Sequence, residues 1–202
     1  MSKYSDLNII YINSENPFYN GKRELMEEKL SSLGLPYKRV AVPVQNGVAT
    51  VNIVSGAHRD ATQLAVEANR FPLLILEDDV ELVNDFPFDL EINKDAKLIY
   101  LGLSLHDAGQ GRLVLESHDD NYYRVKNSLS AHAILIPTDE SAKYYIDLCN
   151  KSISKTNWHD KELAYDSHKE LFLTPKKGPI FFQTDPHTRP ITNFELDKFI
   201  ID

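Results

Sequence analysis

Cysteine is nearly absent, with Cys149 the only one among 202 residues. No disulfide can form within the chain, so a hydrophobic core has to hold the fold, and a reducing compartment such as the cytoplasm is the expected setting. No apolar run is long enough to cross a bilayer, and residues 1–6 carry no apolar signal segment. The sequence therefore reads as a soluble protein of bacterial or viral type with no membrane span. Basic residues are also few. With 22 Lys and Arg against 30 Asp and Glu the formal charge is -8, which leaves no broad positive surface for a phosphate backbone and weighs against a nucleic-acid partner. A Gly-x-Gly-x-x-Gly turn, a Walker phosphate loop, Cys-rich zinc spacing, a Gly-x-Ser-x-Gly nucleophile elbow, repeats and low-complexity tracts are all missing. What remains is an ordinary globular composition, 42% hydrophobic and 10% aromatic, at a length that buries roughly 70% of the unfolded surface.

Residues 7–13 form a short apolar run that stops at Ser14, Asn16 and Pro17, the pattern of a buried strand entering a loop. Over 22–33, Leu25, Met26, Leu30 and Leu33 share one helical face, and Gly34 supplies the stop. A strand over 37–42 follows. Ser55 reads as the cap of a helix in which Ala57, Ala61, Leu64, Ala65 and Ala68 recur at helical spacing, small enough to pack closely on a sheet, with Pro72 ending it. Residues 73–76 are continuously apolar, as a strand covered on both faces requires, and the run breaks at Glu77, Asp78 and Asp79. Strands are expected over 97–103, 131–137 and 179–182, a helix capped by Thr138, and a long loop or hairpin over 106–121. Strands alternating with helices predict an α/β fold.

Residues two apart in an extended segment point the same way, so Glu77 and Asp79 suit a hard divalent cation, Mn2+ or Mg2+, at the carboxyl edge of an α/β sheet. The bland alternative for all three acids is a solvated turn. His58, placed early in its helix, offers an imidazole beside free backbone N–H groups to an anion, or is a plain surface histidine. Arg23 follows the first strand's loop, where a guanidinium clamps phosphate or is merely solvated. Trp158, His159 and Asp160 bring an aromatic platform, an imidazole and a carboxylate to the start of a helix, and Asp160 is equally a helix cap. Residues 183–192, with Gln183, Asp185, His187, Thr188 and Arg189, make a polar, proline-bracketed stretch that suits a substrate loop.

Taken in order, these segments resemble glycosyltransferase family 25, which includes lipopolysaccharide sugar transferases and collagen galactosyltransferase domains. Ile10 to Asn13, Arg23, Met26 to Leu30, Leu33 and Gly34 look like its opening strand, arginine helix and leucine-glycine turn. Ser55 to His58, then Leu74 to Val80 with Asp85 and Phe86, are similar to its serine-histidine helix and acidic-triplet strand, with Ala57 where the family has serine. Tyr100 to Gly102, Ser130 to Ile136, Asp160 to Leu163, and Ile180 to Gln183 with Thr188 and Ile191 resemble its later motifs, with His132 in place of a tyrosine. The resemblance runs nearly end to end.

It implies one GT-A-like domain over residues 1–202, an α/β/α sandwich with a mostly parallel central sheet. The nucleotide-binding half would be about 1–105 and the acceptor-side half about 106–202. The activity implied is inverting transfer of a sugar from a nucleotide-diphosphate donor, a UDP-sugar first, to a glycan or glycolipid acceptor such as a lipopolysaccharide core. Glu77 and Asp79, joined by His187, would hold the Mn2+ or Mg2+. Asn13, Arg23, His58, Asp78 and Gln183 would bind the donor, and Asp160 would be the base. Two other readings use the same residues, namely a silent nucleotide-sugar or glycan binder on this scaffold and a metal-dependent nucleotide-sugar hydrolase.

Overall fold

The computed structural model describes residues 2–82, 85–106, 113–184, 188–190, 196 and 198–201. Strand β1 (Asn8–Ser14) leads through α1 (Asn20–Leu33) to β2 (Tyr37–Val42), and α2 (Thr50–Ala68) leads to β3 (Leu73–Glu77) and the short β4 (Val80–Leu82). Then come β5 (Leu98–Tyr100), β6 (Ser104–His106), β7 (Val114–Ser117), β8 (Tyr122–Lys126) and β9 (Ala133–Ile136). Helices α3 (Asp139–Lys155) and α4 (His159–Asp166) precede β10 (Phe172–Pro175), β11 (Phe181–Gln183), β12 (Thr188–Pro190) and β13 (Ile200–Ile201).

Nine strands form one sheet in the order β13-β7-β8-β10-β5-β9-β3-β1-β2. Their pairings leave seven pointing one way, with only β8 and β9 reversed. Strands β4 with β11 and β6 with β12 make two small antiparallel ribbons beside it. The expected α/β sandwich with a mostly parallel sheet is the one observed, and the expected loop or hairpin over 106–121 holds β7, which pairs antiparallel with β8.

Side chains alternate along each strand, so one strand feeds two cores. Ile10, Ile12, Leu73, Ile75, Ile134 and Ile136 face α2, α3 and α4, meeting Ala57, Ala61, Ala65, Ala142, Tyr145 and Leu163. Ile9, Tyr11, Leu74, Leu76 and Leu135 face the other way, against Met26 and Leu30 of α1 and the loop residues Phe86, Leu90 and Ile92. All four apolar residues of β3 are fully buried, each contributing about 1.5–3 kcal/mol of burial. The alanine stripe of α2 permits the close approach to β3 and α3 on which the site depends.

Three local readings are corrected. Helix α2 begins at Thr50, with Ala49 as a cap that makes no side-chain bond. Ser55 is a turn further in, its hydroxyl turned inward to Ser152 and His159. The same helix ends at Asn69, left-handed with φ 49°, before Pro72 is reached. Helix α4 is capped by Trp158, so Asp160 sits inside its first turn. Thr138, by contrast, accepts a hydrogen bond from the Ser141 amide as expected of a cap, and Gly34 closes α1 at φ 66°.

Glu162 ties α4 to α3. Its carboxylate accepts from Lys155 Nζ at 3.0 and 3.1 Å and pairs with Lys151 Nζ at 2.8 Å. Burial opposes its ionisation, but the bonds from Lys151, Lys155 and Asn157 outweigh that and hold the carboxyl below the usual glutamate range. A pKa lowered in the folded state gives stability that is present above the unfolded value and lost as pH falls through the folded one. Glu162→Gln is expected to cost about 1–3 kcal/mol in denaturant unfolding at neutral pH, and the gap to wild type is expected to narrow as pH falls through the lowered pKa of Glu162.

Candidate active site

Helix α1 crosses over one face of the sheet and α2 over the other, while β2 and β3 flank β1 on opposite sides. The chain therefore parts at the carboxyl ends of β1 and β3, the place where open α/β sheets leave a crevice for ligands. A cleft of about 390 Å³ opens there, lined by the ends of β1, β2 and β3, by Tyr19 and Lys22, and by the first turns of α2. Glu77, Asp78 and Asp79 all face it.

The three carboxylates are held differently. Asp78 Oδ2 accepts from Asn13 Nδ2 at 2.6 Å, and Asn13 Oδ1 in turn accepts from Arg39 Nε at 3.0 Å. Lys22 Nζ lies 3.8 Å from the other Asp78 oxygen. Glu77 Oε2 and Asp79 Oδ2 share a single donor, Gln183 Nε2, at 3.3 Å each. Thr184 binds the Asp79 carbonyl through both its amide and its hydroxyl, at 2.8 and 2.9 Å, which pins the start of the segment after β11 to the acidic turn. Burial, the negative charge of Glu77 and that of Asp78 push the Asp79 carboxyl up to about 7, with Lys22 and the Gln183 bond pulling the other way.

Asp79 Oδ1 is buried and has no hydrogen-bond partner. A carboxylate oxygen without a donor, beside a second carboxylate and facing a cleft, fits a hard divalent cation completed by water or phosphate oxygens. The protein's own share is small: among the described residues no three His, Cys, Asp or Glu side chains are grouped to hold a metal ion. Asp78 is turned to Asn13 and Lys22, which leaves Glu77 and Asp79 as the pair. His187, the expected third ligand, lies outside the described residues.

His58 is not near a helix terminus, because α2 starts at Thr50. It is fully buried beneath the triplet, with Nε2 3.1 Å from Glu77 Oε1 and Nδ1 3.0 Å from the Tyr145 hydroxyl. Burial lowers its pKa to about 3, so the ring is neutral. The His159 ring packs against it at 4.4 Å between centroids. Asp160, next in the chain, raises the Tyr145 phenol further, after burial, Cys149, Glu77 and Tyr100. The backbone of His132 accepts from the Glu77 amide at 2.9 Å. Its imidazole lies over Gly102, where a Cβ would come within 2.1 Å of Nε2.

The triplet, Asn13 and Gln183 are thus brought together, with His58 behind them. Arg23 is turned away to Glu27 of its own helix at 3.3 Å, and Glu27 also accepts from the Tyr11 hydroxyl. The lysine before it supplies the cation facing Asp78. Lys22, Arg39, Thr184 and Tyr145 were missed by sequence reasoning, and no motif marks them.

No protein-family model and no curated protein sequence matches the chain. Among solved structures, a glycosyltransferase involved in the glycosylation of the major capsid of PBCV-1 superposes with a TM-score of 0.56 at 14% identity, covering 95% of this chain and 97% of that one. A β-1,4-galactosyltransferase 7 mutant from Drosophila, in complex with manganese, UDP-Gal and xylobiose, gives a TM-score of 0.46 at 11% identity over 96% of this chain and 74% of that one. CTP:phosphocholine cytidylyltransferase from Streptococcus pneumoniae gives 0.43 at 11% identity over 89% and 93%. The fold is GT-A-like.

Two buried-edge carboxylates sharing one amide donor are a strained arrangement when no cation is present. Asp79→Asn is therefore expected to stabilise the metal-free protein by about 0.5–2 kcal/mol in chelator-treated denaturant unfolding.

Proposed function

We propose that this chain is a metal-dependent glycosyltransferase that moves a sugar from a nucleotide-diphosphate donor, a UDP-sugar first, to the hydroxyl of a glycan or glycolipid acceptor with inversion. The observation that carries the reading is the Glu77 and Asp79 pair with its partnerless buried oxygen, set beside Lys22 at the carboxyl edge of the sheet. The GT-A-like fold supports it, and the order of the motifs resembles that of family 25. A role in lipopolysaccharide or a related surface glycan, and a cytoplasmic location, belong to the same reading.

Glu77 and Asp79 would hold Mn2+ or Mg2+, with His187 as a further ligand. When bound, such an ion supplies positive charge that stabilises the departing diphosphate. Lys22 adds a second positive charge at the same place, and Asn13, itself fixed by Arg39, keeps Asp78 facing the donor. Gln183 orients the paired carboxylates, and Lys22 takes the place first expected of Arg23, which is paired with Glu27. The apolar wall of the cleft, with Ile53, Val54 and Tyr19, takes the base and excludes water. Asp160 accepts the proton of the acceptor hydroxyl as it attacks opposite the leaving group. In this reading residues 1–105 bind the nucleotide and 106–202 meet the acceptor.

Calorimetry with UDP, GDP and CDP, with and without Mn2+, is the test. One nucleotide is expected to bind only with Mn2+, and Asp79→Ala is expected to abolish that binding. Metal-independent binding, or none, overturns the reading. With the matching sugar nucleotide and acceptor, sugar on the acceptor is the expected product; free sugar alone identifies a hydrolase, and binding without turnover a silent scaffold.

A further inference from the structure

Beneath the cleft, a line of polar side chains runs into the core: Tyr145 from α3, His58 from α2 and Glu77 at the end of β3. Tyr145 and His58 are at 0% exposure, and the two links are 3.0 and 3.1 Å long. A neutral imidazole has one N–H and one lone pair, and an ionised carboxylate can only accept. Nε2 must therefore carry the proton and donate to Glu77. That leaves Nδ1 as an acceptor, and the Tyr145 O–H is the donor in place to satisfy it. The backbone of α2 is braced at the same point, where Thr62 Oγ1 donates to the His58 carbonyl at 2.8 Å, and the His159 ring closes one side of the imidazole.

A glutamate at a strand end has three side-chain torsions to settle before it can serve as a ligand, and each free rotamer weakens the site. We infer that His58, held in its Nε2–H tautomer by the carboxylate and anchored at Nδ1 by the Tyr145 hydroxyl, fixes Glu77 Oε1 and leaves Oε2 turned to Asp79 and the cation. This rests on the reading of Glu77 as a metal ligand. Tyr145 and His58 are positioning residues: neither touches substrate, and both act through Glu77, as outer partners of metal ligands do.

The test combines two readouts on the full chain. In protein labelled with 15N-histidine, without metal at neutral pH, His58 is expected to show a protonated Nε2 and an unprotonated Nδ1. In Tyr145→Phe, which keeps the ring's volume, Nε2 is expected to stay protonated while the Nδ1 shift moves downfield as it loses its donor. Calorimetric Mn2+ affinity is expected to fall about 10- to 100-fold in Tyr145→Phe and in His58→Leu, and to recover in part in His58→Gln, whose amide can still donate to Glu77. Thermal unfolding run alongside separates a collapsed variant from a loss of affinity, and the wild-type spectrum decides the tautomer even if a variant does not fold. A protonated Nδ1 in the wild type, or Tyr145→Phe with wild-type Mn2+ affinity, overturns the relay alone. Wild-type protein that binds no Mn2+ in an Asp79-dependent way overturns the metal-centre reading and the relay's purpose with it.

Discussion

The structure depends on one constraint, that β3 must be apolar on both faces up to Leu76 and acidic immediately after it. Between β1 and β9 the strand has no exposed side, and each of its side chains through Leu76 is sealed from water. Carboxylates cannot be tolerated in that interior without partners. They are tolerated one residue later, because the two crossovers leave on opposite faces and the sheet opens at that point. The core and the site are thus successive stretches of a single strand.

Charge is handled there by division. Asp78 is given a lysine and an asparagine, while Glu77 is given a histidine from below and shares an amide with Asp79. Asp79 is left with an oxygen that nothing in the described structure satisfies. Stability and readiness for a ligand pull apart at that atom: the arrangement is poor as a resting fold and good as a receptor for positive charge, the usual relation at sites that must bind tightly.

Much of this could be read from the residues because it is periodic or abrupt. The run from Leu73 to Leu76 breaking at three acids marks both a buried strand and the edge of a site, and 37–42 matches β2 residue for residue. The start of α2 was not legible in the same way. Ala49 caps it without a side chain, Val51, Ile53 and Val54 hide the helical pattern among β-branched residues, and Ser55 looks like a cap although its hydroxyl serves the interior. Nor could Lys22 be chosen over Arg23, since neighbouring helical residues point about 100° apart and only the docking of α1 decides which one meets the cleft. Tyr145 lies 87 residues from His58 in sequence, beyond the reach of any local rule.

The ring of His132 occupies the space that a side chain at 102 would need, and its backbone also holds the Glu77 amide. The two positions therefore own one volume between them. Any side chain at 102 has to displace that ring, beside the carbonyl that holds the Glu77 amide, so a change at one position is felt first at the other.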